Sequence, residues 1–232
     1  MNNLRVDAII FDKDGTLFEF GATWESWAES FLLRVTGGDR DRAGFIGTHI
    51  GFDLPRRKFA PDSVVIAETP VEIAQCLAPH FPDMTGQQIF DLLNEEAETV
   101  QQVEAVPLVP FLGQLRDLGL KLGVATNDAE APALAHLKSA GIFAEFDFVA
   151  GCDSGHGAKP DPGQLNAFAD QIGAAPERIA MVGDSTHDLH AGRNAGMRTV
   201  GVLTGIAGHP ELAPFADAVF PDIGHIPQWL QD

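Results

Sequence analysis

The sequence predicts an α/β protein: a doubly wound parallel sheet, Rossmann-like, with an all-helical domain inserted after its first strand. Three observations predict it. The run Val6, Ala8, Ile9, Ile10, Phe11 is almost continuously apolar, as a strand buried on both faces requires. Comparable runs recur at Leu120 to Thr126 and Ile179-Ala180-Met181-Val182, with helical apolar stripes alternating between strands. From about residue 20 to 106 the pattern changes to helical stripes alone, with no strand signal.

Taken in order, the first strand ends at Phe11 and a turn follows at Gly15. Trp24, Trp27, Ala28, Phe31, Leu32 and Val35 then form a helical stripe, with Thr23 placed to cap its start and Gly37-Gly38 to end it. Residues 39–68 are polar and carry Gly, Pro and Arg, so they read as loops with at most a short helix. Thr69-Pro70-Val71-Glu72 combines a capping box with proline at the first helical position, for a helix that stops at Pro79. Thr85-Gly86-Gln87-Gln88 opens another helix, with Ile89, Leu92, Leu93, Ala97, Val100 and Val103 inward. After it come a helix of Phe111, Leu112, Leu115 and Leu118 and the strand Leu120 to Thr126. A helix closed by Gly141 and a short strand of Phe146, Phe148 and Val149 are next. Asp161-Pro162-Gly163-Gln164 caps a helix ending near Gly173. The strand at Ile179, a helix ending at Gly196 and the strand Thr199 to Leu203 complete the pattern. The expected division is a core of 1–19 and 107–232 and a helical cap of 20–106.

Composition narrows the classes. The chain has 232 residues, 45% hydrophobic, enough for a real core. A formal net charge of −18 opposes binding to nucleic acid or anionic membranes, although a bound cation can still make a cleft receptive to an anion. The apolar runs are too short to span a bilayer, and Met1-Asn2-Asn3-Leu4-Arg5 lacks the apolar core of a secretory signal. Two cysteines, Cys76 and Cys152, without a Cys-x-x-Cys, suit a reducing compartment. The expectation is a cytoplasmic protein, monomer or homodimer, with a small-molecule partner. Neither Gly-x4-Gly-Lys-Ser/Thr nor Gly-x-Gly-x-x-Gly occurs, so nucleotide folds of those types are not supported.

The chemistry concentrates at strand ends, where open α/β sheets place their ligands. The first strand ends in Asp12-Lys13-Asp14-Gly15-Thr16 and the second in Thr126-Asn127. The loop after the third carries Lys159-Pro160, and the fourth ends in Gly183-Asp184-Ser185-Thr186-His187-Asp188. Two acids one residue apart suit a nucleophile beside a proton donor, or a pair of cation ligands; solvated turn acids are the plain alternative. Asp12, Asp14, Asp184 and Asp188 in one crevice would repel one another, and a divalent cation removes the conflict. With oxygen ligands only, magnesium is the natural choice. Cation plus Lys159 ammonium, with the Thr126 hydroxyl, makes a pocket for a phosphoryl group.

This set resembles the haloacid dehalogenase superfamily, and within it the phosphoglycolate-phosphatase-like hydrolases with a helical cap. All four motifs of that family occur in order along most of the chain. The resemblance implies a magnesium-dependent phosphatase of a small phosphorylated metabolite, phosphoglycolate being the family-level favourite. By it, Asp12 forms an aspartyl-phosphate, and Asp14 protonates the leaving oxygen and then activates water. Thr126 and Asn127 hold phosphoryl oxygens, and Lys159 pairs Asp12 with the phosphate. Asp12, the Asp14 carbonyl and Asp184 bind the magnesium, with Asp188 in or just behind its shell. Asp14 argues against the dehalogenase branch, which lacks the second acid. A phosphomutase is the nearest alternative; a non-catalytic binding protein, or a phosphonate hydrolase using Lys58 as a Schiff base, stands further off. Phe18-Glu19-Phe20 and Asp128-Ala129-Glu130 depart from the family pattern and leave the substrate open.

Arg56 and Arg57, in the insertion's cationic cluster with Lys58, are candidates to hold a second anionic group of the substrate; a solvated loop is the alternative. His187 and His190 read as surface histidines rather than a zinc site. Trp24 and Trp27 read as cap core. The Lys159–Pro160 bond is a candidate for cis geometry.

Overall fold

A computed structural model describes residues 4–66 and 68–231; Met1 to Asn3, the start of the segment expected to lack a secretory signal, lie outside that range with Ala67 and Asp232. In chain order the elements begin with β1 (Ala8–Phe11), α1 (Phe20–Val35), α2 (Arg40–His49), β2 (Phe52–Asp53) and β3 (Lys58–Phe59). Next come α3 (Pro70–Leu77), α4 (Gly86–Thr99), α5 (Leu108–Asp117), β4 (Lys121–Ala125), α6 (Glu130–Ser139) and β5 (Phe148–Ala150). The remainder are α7 (Gly163–Ile172), β6 (Ile179–Gly183), α8 (Thr186–Asn194), β7 (Arg198–Val202), α9 (His209–Leu212), β8 (Ala218–Phe220) and α10 (Ile226–Trp229).

Six strands form one parallel sheet in the order β5-β4-β1-β6-β7-β8. The order reverses at β1, so the chain winds outward in both directions from its first strand. Side chains alternate across the sheet. Ile9 and Phe11 meet Leu112, Leu115 and Val124 on one face. Ala8 and Ile10 meet Leu165, Phe168 and Met181 on the other. Both faces being covered explains the unbroken apolar run of β1. β8 was not expected: its three residues are too few to show a period, and pairing with β7 makes it a strand.

The cap packs around its own cluster, including Trp27, Phe31, Leu32, Ile46, Leu77 and Leu93. Both capping boxes form, at Thr69 with Glu72 and at Thr85 with Gln88. The cap is helical but carries one short antiparallel hairpin, β2 with β3, where no strand was expected. With two residues a side, it has no periodicity to read. The polar stretch contains a ten-residue helix, α2, whose N-terminal amides at Asp41 and Arg42 are capped by Asp39. Val103 is exposed rather than inward, because α4 ends at Thr99.

The two crossings between core and cap run side by side. The Glu19 N–H donates to the Val103 carbonyl at 2.8 Å, and the Ala105 N–H to the Leu17 carbonyl at 2.9 Å. This pairing holds Glu19 extended, so α1 starts at Phe20, and Thr23 lies inside the helix, buried, instead of capping it. Among the described residues no helix is long and apolar enough to cross a membrane.

Candidate active site

Four loops at the carboxyl edge of the sheet build the site. The Asp12 N–H extends the β1 ladder by donating to the Val182 carbonyl at 2.8 Å, which holds Asp12 at the sheet edge beside the end of β6. Gly15 then turns the chain with φ +83°, and a Cβ there would collide with the Asp184 carboxylate. Gly205, after β7, approaches Asp184 as closely from the other side. Glycine at both positions leaves Asp184 its room. Thr204 donates to the Gly15 carbonyl at 2.5 Å and braces this turn.

The structure brings Asp12, Asp14, Thr126, Asn127, Lys159, Asp184 and Asp188 to the lining of one cleft. The Lys159 ammonium lies 2.6 Å from Asp12 Oδ1, 2.7 Å from Asp188 Oδ1 and 2.7 Å from the Ala125 carbonyl. Burial works against its charge, but Asp12 and Asp188 outweigh it and hold the amine pKa above the usual lysine value. Lys159–Pro160 is cis. Asn127 clasps this loop: its side-chain N–H donates to the Lys159 carbonyl at 2.9 Å, and its oxygen accepts from the Lys159 N–H at 2.8 Å. It therefore positions the lysine, a role that the expectation of phosphoryl contact alone did not include. Asp188 is similarly occupied: Oδ2 accepts from the Ser185 N–H and hydroxyl in a capping box of α8.

Asp12, Asp184 and Asp188, all buried, each offer an oxygen within 4.8 Å of the others. Burial, with Asp188 and Asp14 close by, pushes the Asp12 carboxyl up to about 7 against the pull of Lys159. Burial, then Asp12 and Asp188, also raises the Asp184 carboxyl well above the ordinary range. Carboxylates forced together at this cost, with oxygen donors only, fit a hard divalent cation that would restore their charge.

Behind Asp14 lies a group that the sequence reading passed over. Lys13 is 0% exposed. Its ammonium sits 2.6 Å from Asp14 Oδ2, 3.3 Å from Asp128 Oδ2 and 3.0 Å from His136 Nδ1. His136 Nε2 lies 2.7 Å from the Ala97 carbonyl at the end of α4, so Nε2 donates there and Nδ1 accepts from Lys13. Burial, with Lys13 adjacent, holds the His136 pKa down to about 4. The ammonium also stands 5.5 Å from the Trp24 ring centroid. Core loop and cap are thereby joined through one buried lysine. Asp14 Oδ1 has no hydrogen-bond partner and lines the cleft with the rest of the carboxyl. No spacing rule flags Lys13, since Asp128 and His136 are far away in sequence.

Arg56 and Arg57 are not brought to the cleft. Arg56 pairs with Asp53 at 3.1 Å and is 83% exposed in its side chain; Arg57 pairs with Glu29 at 2.9 Å. Lys58 is held by Glu25 at 2.7 Å and is likewise absent from the lining, so nothing supports its use as a Schiff base. The hairpin turn, with Arg57 at φ +53°, directs these cations to the cap surface. Trp24 and Trp27 are both cap core and cleft wall. His187 also lines the cleft, whereas His190 packs on Phe215 with ring centroids 4.3 Å apart.

A family model described as haloacid dehalogenase-like hydrolase matches residues 6–196. The chain is 30% identical over 235 residues to the phosphoglycolate phosphatase of Rhodospirillum rubrum, covering 96% of this chain and 90% of that protein. It is 30% identical over 221 residues to pyrophosphatase PpaX of Bacillus velezensis, covering 93% and 91%. The crystal structure of CbbY from Rhodobacter sphaeroides in complex with phosphate superposes with a TM-score of 0.67 over 98% of this chain and 100% of that one; at 19% identity it shows the fold alone. On its motifs, its site and these similarities together, the chain belongs to the haloacid dehalogenase-like hydrolases, in their phosphoglycolate-phosphatase-like branch, as a phosphoric monoester hydrolase.

Proposed function

We propose that the chain is a magnesium-dependent phosphatase that hydrolyses a small phosphorylated metabolite through an aspartyl-phosphate on Asp12. One observation carries the reading: Asp12 is held at 2.6 Å by a buried ammonium, beside Asp184, at the mouth of a cleft also lined by Asp14. Asp12, the Asp14 backbone carbonyl and Asp184 would hold the magnesium, with Asp188 behind them on Lys159. Bound there, the cation would neutralise charge on the phosphoryl oxygens.

An Asp12 oxygen attacks phosphorus and the bond to the leaving oxygen breaks. Asp14, its Oδ2 held by Lys13, gives its proton to that oxygen, so an alcohol departs. Water then attacks phosphorus of the acyl phosphate, Asp14 takes back a proton, and Asp12 and inorganic phosphate are released. Lys159 balances the Asp12 charge and the transferring phosphoryl group, while Thr126, its N–H on the Ala150 carbonyl and its hydroxyl oxygen accepting from the Asp128 N–H at 3.1 Å, lines the cleft.

The division into a core of 1–19 and 107–232 and a cap of 20–106 belongs to the same proposal. The paired linkers at 17–19 and 103–105 and the separate cap cluster support it. A cytoplasmic location belongs to the proposal as well, supported by the unpaired cysteines. The test is release of inorganic phosphate from a panel of phosphomonoesters with and without magnesium. The expected result is magnesium-dependent release that Asp12→Asn abolishes. Wild-type turnover by Asp12→Asn would remove the nucleophile assignment.

A further inference from the structure

The cleft above Asp12 has a cavity volume of about 70 Å³. Its cap wall is apolar and aromatic: Phe20, Trp24, Trp27, Val65, Ile66 and Ile73. Phe20 and Trp24 stack with centroids 6.4 Å apart, and Trp27 meets Trp24 edge-on at 5.2 Å. Two polar atoms on this wall are buried without a partner, the Trp24 Nε1–H and the Asn94 side-chain oxygen. One donates and the other accepts.

Cations are missing from this wall. Every Lys and Arg between residues 20 and 106 lies outside the cleft lining. Arg34 is spent on Glu95 and Glu96, Arg40 and Arg57 on Glu29, Arg56 on Asp53 and Lys58 on Glu25. Arg42 lies over Phe81, 5.9 Å from its ring centroid. Lys159, the one lysine in the lining, is committed to Asp12, Asp188 and the Ala125 carbonyl. The cap acid that does line the cleft is Glu68, across from His187. A second anionic group on the substrate would be desolvated against tryptophan and face a carboxylate.

On the phosphatase reading above, we infer that the substrate is a monoester of an uncharged alcohol. That alcohol has an apolar or aromatic face for Phe20 and Trp24 and a hydrogen-bonding edge for the Trp24 N–H and Asn94. Phosphoglycolate and pyrophosphate, which carry their second charge where the wall is apolar, are poor substrates.

Matched primary esters test this. 2-Hydroxyethyl phosphate and phosphoglycolate are nearly the same size and differ by a carboxylate; benzyl phosphate adds an aromatic face. The expected order of kcat/KM is benzyl phosphate, then 2-hydroxyethyl phosphate, then phosphoglycolate and pyrophosphate, with about tenfold or more between the first and the anionic pair. Glu68→Arg places a cation in the exposed rim of the cleft and is expected to raise kcat/KM for phosphoglycolate about tenfold without raising that for benzyl phosphate. Phosphoglycolate or pyrophosphate matching or exceeding benzyl phosphate in the wild type overturns the inference and leaves the phosphatase reading intact. Absence of phosphate release from every ester with magnesium present overturns both.

Discussion

Replacing Lys13 by methionine removes the ammonium shared by three partners, buried Asp128 and His136 and partly buried Asp14. The unbranched side chain is kept to within one atom, so the loss is chiefly one of charge. Asp14 Oδ2 at 2.6 Å, Asp128 Oδ2 at 3.3 Å and His136 Nδ1 at 3.0 Å all lose their donor together. Burial already pushes the Asp128 carboxyl up to about 6, even with Lys13 in place. Breaking a buried pair from one side costs about 3–5 kcal/mol, because the abandoned charge stays in low dielectric. Urea unfolding of Lys13→Met is expected to show a loss of that size. Lys13→Arg should recover part of it. Kinetics separate positioning from bulk stability: with Asp14 no longer held, kcat/KM for alkyl phosphates, which reports the steps up to the aspartyl-phosphate, should fall about 10²-fold, the low end of general acid catalysis. For p-nitrophenyl phosphate, whose leaving group needs no proton, kcat/KM should fall far less. A stability loss below about 1 kcal/mol, or equal losses for alkyl and nitrophenyl esters, would refute the reasoning.

Three further outcomes follow from the same geometry. Magnesium should raise the unfolding temperature of the wild type and not of Asp184→Asn; because the Asp12 carboxyl sits at about 7 without a cation, magnesium affinity by calorimetry should weaken as pH falls below 7, with protons released on binding. His136 has a folded pKa of about 4 against an ordinary 6.5, so the unfolded chain binds the extra proton between those values. Its contribution to stability is full above pH 6.5 and is lost as pH falls toward 4, by about 3 kcal/mol for a shift of that size. Raised carboxylates such as Asp128 act in the opposite sense, so the test is the difference between wild type and His136→Gln, which should shrink over that interval. Arg56→Ala and Arg57→Ala should leave kcat and KM unchanged and cost under about 1 kcal/mol each, as exposed pairs do. A tenfold rise in KM for either would return the cationic loop to the cleft.

Much of this was legible in the chain. The buried strands β1, β4 and β6 announce themselves by unbroken apolar runs, and the cap helices α3 and α4 by capping boxes whose partners are three residues apart. Asp12, Asp14, Lys159 and Asp184 were readable because strand ends in a parallel sheet share one edge, so sequence order fixes which loops meet. What escaped depends on pairing that the local pattern of residues does not name. β8 and the β2–β3 hairpin are strands only because a neighbour pairs with them. The start of α1 was misplaced because the linker pairing of Glu19 with Val103, not a local cap, sets it.

The sequence by itself determined the parallel sheet, the inserted cap and the acids at the strand ends. Their periods and spacings are local consequences of backbone geometry. Only the tertiary structure decided that Lys13 clamps Asp14 while itself bound by a histidine 123 residues away, that Arg56 and Arg57 turn outward to nearby acids, and that the cap offers the cleft tryptophan and asparagine instead of a cation. Each is an electrostatic choice among competing partners, and such a choice is settled by distance and burial, which the linear order of residues does not contain.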